Sequence, residues 1–281
     1  MIRHQSAAQF YPGDCIGQIE SFKKGFTPPD EPRDIKGGIV PHAGWFFSGA
    51  TAARVFLSIQ AKKAPDTFIL LGAVHVPGVR NNSIYSSGSW ATPLGEIKVN
   101  DVIAGMLLDE MPGLLADNSQ AHVYEHSIEV QTPMIKYLFP KTSIVPIAVP
   151  PGEEAVALGE GIGRVIAAKG LDAVVIGSTD LTHYGDNYGF APAGYGQRAY
   201  RWMRENDERI IKLALGLKAR EILEEAAVNY NACGPGAMAA AAAASKAMGS
   251  KGGVLVEHVT SYDVYPQGEF DMAVGYAGII F

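Results

Sequence analysis

The stretch "DAVVIGSTDLTHYG", residues 172–185, joins an apolar run to an acid and a histidine. Residues 172–176 form a short apolar run, which is typical of a strand that is buried on both faces. The Gly-Ser pair that follows is sufficient for a turn. Asp180 and His183 lie just beyond it, although ending a strand requires neither an acid nor an imidazole. The stretch therefore predicts a buried strand whose carboxyl end carries polar side chains with a possible chemical role.

Similar apolar runs recur along the chain, and most are followed by stretches with helical periodicity. This alternation predicts an α/β fold of three layers, in which a mainly parallel or mixed sheet has helices on both faces. Residues 83–99 alternate in shorter runs and predict an antiparallel hairpin. No linker or internal repeat is evident, so residues 1–281 are expected to form a single domain. The other predicted strands are 38–40, 67–71, 143–149, 253–260 and 272–281, and the predicted helices are 50–60, 153–168, 197–217 and 235–248.

The composition argues against several classes of protein. The 281 residues are 47% hydrophobic and 19% charged, with a formal net charge of −6. No basic run is longer than a pair of lysines, so neither nucleic acid nor a membrane surface is an expected partner. The first residues lack the apolar core of a secretory signal, and no apolar run is long enough to span a bilayer. Two cysteines in unrelated contexts indicate a reduced, cytoplasmic protein.

Three of the seven histidines have the same placement relative to predicted strands. His42 follows the strand at 38–40, His75 follows the strand at 67–71, and His183 follows the strand at 172–176. In open α/β sheets, ligands bind in the crevice outside the carboxyl ends of the strands. A single histidine in a loop is more often a hydrogen-bonded structural residue. Three histidines beyond three strand ends favour one shared pocket at this edge.

Cys233 is the second candidate for chemistry. It lies in "NACGPG", immediately before the alanine-rich helix predicted at 235–248, whose small side chains allow close packing on the sheet. A thiol at a helix start lies near the positive end of the helix dipole, which favours the thiolate. The adjacent glycines indicate a close approach of the backbone to another group. Cys15 follows the turn-like "YPGD" without such neighbours and is predicted to be structural.

The segment "EHSIEVQTP" adds a third polar group. Glu125, His126 and Glu129 lie at the start of a helical pattern that ends near Phe139. Pro133 would distort this helix if the helix were continuous. His126, adjacent to the predicted helix start, is the most suggestive of these residues.

These motifs, taken in order, resemble a known family. "PHAGWFFSG", "LGAVHVPG", "EHSIEVQTP", "STDLTHYG" and "NACGPG" resemble the corresponding motifs of the Memo family, and the opening "FYPGD" is similar to its amino-terminal turn. The likeness extends over nearly the whole chain. It implies a fold similar to that of class III extradiol dioxygenases, which bind non-haem Fe(II) with two histidines and a carboxylate. For prokaryotic members of the family, it also implies a possible radical-SAM protein as a partner in the same system.

The resemblance also implies roles for individual residues. His42 and His75 are the two imidazole ligands, and Cys233 stands where the dioxygenases have a glutamate. His183 falls where those enzymes keep a base, and Asp180 and His126 line the same pocket. The loop Gly72-Ala-Val-His75 departs from the family's usual Gly-Pro-(Asn or Ser)-His. That departure predicts altered hydrogen bonding around His75.

Two imidazoles and a thiolate suit zinc, copper or iron, and the ligand types alone do not choose among them. In a metal-free site, roughly 3–4 Å is expected between Cys233 Sγ and the ring nitrogens, given the lengths of zinc–ligand bonds. Three functions remain open. The first is a metal-dependent oxidoreductase on a small substrate, with His183 as acid–base and Asp180 orienting it. The second is a non-catalytic protein that binds a peptide or acts as an adaptor. The third, ranked last, is a hydrolase with a Cys-His-Asp triad.

Overall fold

The computed structural model describes residues 1–32 and 34–281. The strands are β1 Ile2–Arg3, β2 Gly37–Val40, β3 Thr67–Gly72, β4 Ser83–Ile84, β5 Ser89–Thr92, β6 Gly95–Lys98, β7 Ala116–Asp117, β8 Ser143–Ala148, β9 Ala173–Ser178, β10 His183–Tyr184, β11 Val254–Thr260 and β12 Ala273–Ile280. The helices are α1 Cys15–Lys23, α2 Trp45–Gln60, α3 Asp101–Glu110, α4 Thr132–Leu138, α5 Glu153–Lys169, α6 Gly196–Leu215, α7 Ala219–Asn229, α8 Pro235–Ala247 and α9 Ser261–Val264.

The large sheet is mixed, as the sequence predicts. Its strand order is β10-β12-β2-β9-β3-β8-β4-β7, and β11 also pairs with β12. The four central strands, β2, β9, β3 and β8, run parallel. Strand β12 pairs antiparallel with β2, and β4 pairs antiparallel with β8. The parallel centre places the carboxyl ends of β2, β9 and β3 side by side at one edge of the sheet.

Helices cover both faces of this sheet, which confirms the predicted three-layer α/β class. Alternate residues of β3 point to opposite faces, as the two-residue repeat of a strand requires. Phe68 and Leu70 pack in a core with residues of α1, α2 and α4. Ile69 and Leu71 pack in a second core with residues of α3, α5, α6, α7 and α8. Burial on both faces explains why the central strands are nearly continuous apolar runs.

The predicted hairpin at 83–99 is also present. Strands β5 and β6 pair antiparallel, and β1 pairs with β5 to complete a small separate sheet. Gly95 begins β6 with φ +104°, a conformation that favours glycine. Within residues 1–32 and 34–281, the structure holds no helix that is both long enough and apolar enough to cross a bilayer.

The helix predicted from Glu125 to near Phe139 begins later than expected. The pattern beginning at Glu125 does not form a continuous helix; a short 3₁₀ turn at Glu129–Gln131 precedes α4, which begins at Thr132. Pro133 lies in the first turn of α4, where its missing N–H costs no helical hydrogen bond. Glu125 and His126 therefore lie in the loop before the helix, which brings them to the sheet edge.

Candidate metal centre

Two histidines follow the central parallel strands and meet at the sheet edge. His42 comes two residues after β2, and His75 comes three residues after β3. Their ring centroids are 5.1 Å apart, and the ring planes are inclined by 81°. Nearly perpendicular rings allow the in-plane lone pairs of two imidazoles to point toward one position. The structure therefore brings His42 and His75 together, as the shared placement after strands predicts.

His42 presents Nε2 to the site because Nδ1, its other ring nitrogen, is hydrogen-bonded to Ser178. Ser178 Oγ donates its one hydrogen to the carbonyl of Ser127 at 2.7 Å. Toward His42 Nδ1, 3.1 Å away, the hydroxyl can therefore only accept, so Nδ1 carries the proton. Burial of this ring, with the neighbouring His75, lowers the pKa of His42 to about 3. At neutral pH, His42 is a neutral ring with a free lone pair on Nε2.

His75 is oriented by Glu125, a partner that the sequence patterns did not identify. The Glu125 carboxylate accepts from His75 N at 2.6 Å and contacts His75 Nδ1 at 3.0 Å. Burial raises the pKa of Glu125, but the hydrogen bonds from His75 and Ser127 outweigh burial and hold that pKa at about 2. Because an ionised carboxylate only accepts, Nδ1 is the protonated nitrogen and Nε2 is free. The altered loop at 72–75 is thus supported by a buried carboxylate.

Cys233 completes the group from the start of α8. Its Sγ lies 3.1 Å from His42 Nε2, within the expected 3–4 Å. The ligand atoms of His42, His75 and Cys233 all lie within 4.8 Å of one another. Gly234 permits this placement, since a Cβ there would lie 2.8 Å from Ser178 O. The glycine next to Cys233 therefore marks a close backbone approach, as predicted from "CGPG".

The expectation that the helix start would give a thiolate in the metal-free protein is wrong. Burial, together with the charge of Asp180, raises the pKa of the Cys233 thiol well above its ordinary value. The helix also supplies few donors at this end: Pro235 has no N–H, and Gly234 N donates to Thr179 Oγ1 at 2.9 Å. Asp180 N donates to the sulfur at 3.3 Å, and this bond does not outweigh the effect of burial. A cation held by Cys233 would therefore have to displace the thiol proton.

Asp180 and His183 both line the cleft, but they are not a hydrogen-bonded pair. Asp180 Oδ1 accepts from His42 N at 2.7 Å and from Ala43 N at 3.2 Å. His183 Nδ1 lies 3.1 Å from the carbonyl of Leu181, and a carbonyl can only accept. The expected orienting role of Asp180 thus belongs to the Leu181 carbonyl. His183 Nε2 is left free, and the Cys-His-Asp triad loses its geometric basis because Cys233 pairs with His42.

Asp180 remains close enough to affect the charges around it. Burial raises the pKa of this carboxyl, while the charge of His183 and the bonds from His42 N and Ala43 N act in the opposite direction. Asp180 in turn adds to the effect of burial in raising the pKa of Tyr188. The Tyr188 ring meets His183 edge-on at 5.0 Å. Asp180 therefore sits within electrostatic reach of the free His183 nitrogen without bonding to it.

His126 forms part of the cleft wall. Its ring is stacked between Phe10 and His75, with both centroid distances 4.6 Å. Burial, with the neighbouring His42 and His75, lowers the pKa of His126 to about 4, so the ring is neutral at neutral pH. His75, Glu125 and His126 form a second group of possible ligands. It fits one ion poorly, because the two rings are inclined by only 30° and their in-plane lone pairs do not converge.

The cleft has a volume of about 380 Å³, and its lining combines polar and apolar side chains. Among the residues that the structure describes, those lining it include no lysine or arginine. The lining residues are Phe10, His42, Ala43, Gly44, Phe47, His75, His126, Asp180, His183, Tyr188, Ser261, Met272, Ala273, Val274 and Tyr276. His42 and His75 line this cleft, and Cys233 Sγ lies 3.1 Å from His42 Nε2. An ion held by the three residues would therefore have room for a further ligand on the cleft side, as catalytic metal sites do.

Comparison with known proteins shows the family of the chain. Residues 3–280 match the profile of a family described as Memo-like protein. A MEMO1 family protein of Thermococcus onnurineus is 37% identical over 293 residues, covering 100% of this chain and 99% of that protein. One from Methanopyrus kandleri is 33% identical over 291 residues, covering 98% and 96%. An uncharacterised protein of Escherichia coli K12 has a TM-score of 0.48 and 14% identity, over 79% and 88% of the two chains. With a match along nearly its full length, this chain belongs to the Memo family.

Proposed function

We propose that this protein is a metal-dependent oxidoreductase acting on a small substrate, with one iron, copper or zinc ion held by His42, His75 and Cys233. The observation that carries the proposal is that one ring nitrogen each of His42 and His75 and the Sγ of Cys233 all lie within 4.8 Å of one another, beside a cleft that both histidines line. Soft thiolate and imidazole ligands suit these three metals. When bound, the ion supplies Lewis acidity and, if it is iron or copper, a route for electrons.

The residues around the ligands support acid–base chemistry. His183 Nε2 is a free acceptor in the cleft because Nδ1 is held by Leu181 O at 3.1 Å. It can take a proton from a substrate hydroxyl, and the nearby Asp180 carboxylate would stabilise the resulting imidazolium. The stacked rings of Phe10 and His126 form one wall and limit the access of water. We therefore assign proton transfer to His183 and electrostatic support to Asp180.

The experiment is metal analysis of protein purified anaerobically under reducing conditions, with the Cys233→Ser variant beside it. The parent should hold close to one ion per chain. The Ser variant should keep its circular dichroism spectrum and lose most of the metal, because a hydroxyl is a poor ligand. Cys15→Ser is the matched control, since Cys15 is buried and bonded to Pro12 O. Parent protein with less than a tenth of an ion per chain would sink the proposal.

A second function has one observation in its favour. Phe46 is 66% exposed. Its ring contacts Phe47, which lines the cleft, at 4.9 Å and Tyr265 at 5.8 Å. Exposed aromatic rings of this kind suit a protein that binds a peptide or acts as an adaptor. Cys233→Ser separates the two functions: a binding protein keeps its partner when the metal is lost, whereas an enzyme loses turnover.

A further inference from the structure

The segment before α1 is tied to the loop that supports the metal centre. We call residues 1–14 the arm and residues 122–131, which precede α4, the support loop. The support loop carries Glu125, whose carboxylate holds both the backbone N and the Nδ1 of His75. The arm and the support loop are linked by a buried ion pair between Arg3 and Glu129, 2.7 Å apart.

Arg3 holds the support loop by its backbone. Its guanidinium donates to His122 O at 2.7 Å and to Glu125 O at 2.8 Å, in addition to Glu129 Oε2. The group also lies 4.1 Å above the ring of Trp90, and its side chain is only 3% exposed. The planar fork of an arginine can satisfy several acceptors at fixed angles, which a lysine cannot do. Arg3 therefore fixes the main chain at the residue that orients His75.

Glu129 holds the arm in return. Its carboxylate is fully buried and accepts from Ser6 N at 2.9 Å, Ala7 N at 3.0 Å and Tyr11 OH at 2.9 Å. An unpaired buried charge would destabilise the fold strongly. These three bonds and the ion pair with Arg3 compensate the negative charge of the buried Glu129 carboxylate. The same arm carries Phe10, which stacks on His126 in the cleft wall. One carboxylate thus organises the arm that lines the cleft.

These contacts form an unbroken chain from the arm to a metal ligand. Glu129 holds Arg3, Arg3 holds the carbonyl of Glu125, and the Glu125 carboxylate holds His75. Partners of this kind, which orient metal-binding histidines, influence metal affinity strongly. His75 has the most exposed side chain of the three ligands, at 33%, so it depends most on such support.

We propose that Arg3 and Glu129 are positioning residues of the metal centre, acting through Glu125 on the direction of His75 Nε2. The proposal rests on the proposed function, because it requires a cation at His42, His75 and Cys233. It assigns the arm a role in ligand geometry in addition to its packing. Loosening the arm should therefore change how the cation is held while the sheet and the cleft floor stay intact.

The test uses cobalt(II) added to the metal-free full-length protein, because its visible spectrum reports ligand geometry and sulfur coordination. Affinity is measured by competition with a chelator. Glu129→Gln and Arg3→Lys should each weaken cobalt binding by roughly 10-fold and shift the visible bands, as loss of outer-shell partners does. The matched control is Glu257→Gln. This change removes the ion pair between Glu257 of β11 and Arg54 of α2, neither of which belongs to the arm or the support loop. Glu257→Gln should keep the affinity and spectrum of the parent.

Each outcome decides the proposal. Folded Glu129→Gln protein with the parent's affinity and spectrum overturns it while leaving the proposed function standing. A parent that binds no cobalt overturns both. If Glu129→Gln fails to fold, Arg3→Lys carries the same test, since it retains the charge but gives up the bond to Glu125 O. Tyr11→Phe, which removes a single hydrogen bond to Glu129, should fold and release cobalt to the chelator faster than the parent.

Discussion

At the residue scale, three histidines of the cleft share the same hydrogen-bonding pattern at Nδ1. Each has Nδ1 bonded to a fixed acceptor, which leaves Nε2 as the nitrogen available to a ligand; the Nε2 of His42 contacts Cys233 Sγ at 3.1 Å. The acceptors are Ser178 Oγ for His42, Glu125 Oε1 for His75 and Leu181 O for His183. A hydroxyl, a carboxylate and a backbone carbonyl therefore select the same tautomer, in which the proton is on Nδ1. Glu125 is the only charged acceptor among the three, so the hydrogen bond that orients His75 is charge-assisted and stronger than a neutral one.

The acceptor of His42 can be tested alone. Ser178→Ala removes the hydroxyl and leaves a buried His42 N–H without its partner, so the ring loses its preference for an unprotonated Nε2. We expect metal affinity to fall by about 10–100-fold, the range typical of such partners. The measurement is competition with a chelator. Ser58→Ala is the control, because it removes a buried hydroxyl bonded to Arg54 O on α2. Equal affinity of Ser178→Ala and the parent would contradict the tautomer argument.

A buried histidine outside the ligand set should make stability depend on pH. Burial lowers the pKa of His122 to about 4, and its Nε2 bonds to Ser83 O at 2.9 Å. The unfolded residue titrates near 6.5, so below that pH the unfolded chain binds more protons and stability falls. His122→Gln retains a donor but cannot titrate. Between pH 7 and pH 5, the free energy of unfolding should fall by about 2 kcal/mol less in the variant. Denaturant titrations at both pH values measure this difference, and an equal fall in both proteins would count against the assignment.

Sequence patterns located the candidate ligands but not what holds them. His42, His75 and Cys233 follow strand ends or precede a helix, and such positions depend on local signals along the chain. Glu125 lay within a suggestive segment, yet its bond to His75 joins residues 50 positions apart. Ser178 was expected in a turn but is the last residue of β9, and the Leu181 carbonyl has no side-chain signature. Hydrogen-bond partners of this kind depend on tertiary placement, which a single sequence does not specify.

At the element scale, the site depends on how closely α8 lies against its neighbours. Gly159 in α5 faces the backbone of α8, and a Cβ there would lie 2.2 Å from Ala240 O. Gly159→Ala should therefore push the two helices apart and destabilise the protein by roughly 1–3 kcal/mol, the usual cost of overpacking. Gly105→Ala in α3 is the control. It meets nothing within 4 Å and should stabilise by roughly 0.5–1 kcal/mol through helix propensity. Thermal melting of both variants checks the contrast, and a Gly159→Ala protein as stable as the parent would contradict it.

Elements with strong apolar patterns were predicted within a few residues. The strand predicted at 67–71 is Thr67–Gly72, and the helix predicted at 153–168 is Glu153–Lys169. Helices α1, α3, α7 and α9 were not predicted. The first three have between 9 and 11 residues and α9 has 4, so each gives little periodicity to detect. Burial against the rest of the fold stabilises such helices more than their own propensity does.

At the scale of the whole molecule, the strand order creates the cleft. The neighbours β2, β9 and β3 come from distant parts of the sequence, and their carboxyl ends carry His42, the 180–183 loop and His75. Cys233 lies just before α8, the helix that packs against the same three strands. A cation bound by His42, His75 and Cys233 would connect three segments that are otherwise joined by packing and hydrogen bonds. Binding should therefore report on global stability as well as on the local site.

This connection gives a prediction for metal removal. A ligand that binds only the folded state stabilises it in proportion to the logarithm of its concentration over Kd, about 2.7 kcal/mol at 100 times Kd. Adding zinc to the metal-free parent should raise its free energy of unfolding by about this amount, and a chelator should reverse the change. Cys233→Ser should respond to neither, because its site lacks the thiolate while its sheet is unchanged. Urea titrations with and without zinc measure the effect. If zinc stabilised the Ser variant as much as the parent, the ion would be binding elsewhere, and the three segments would not be joined through this site.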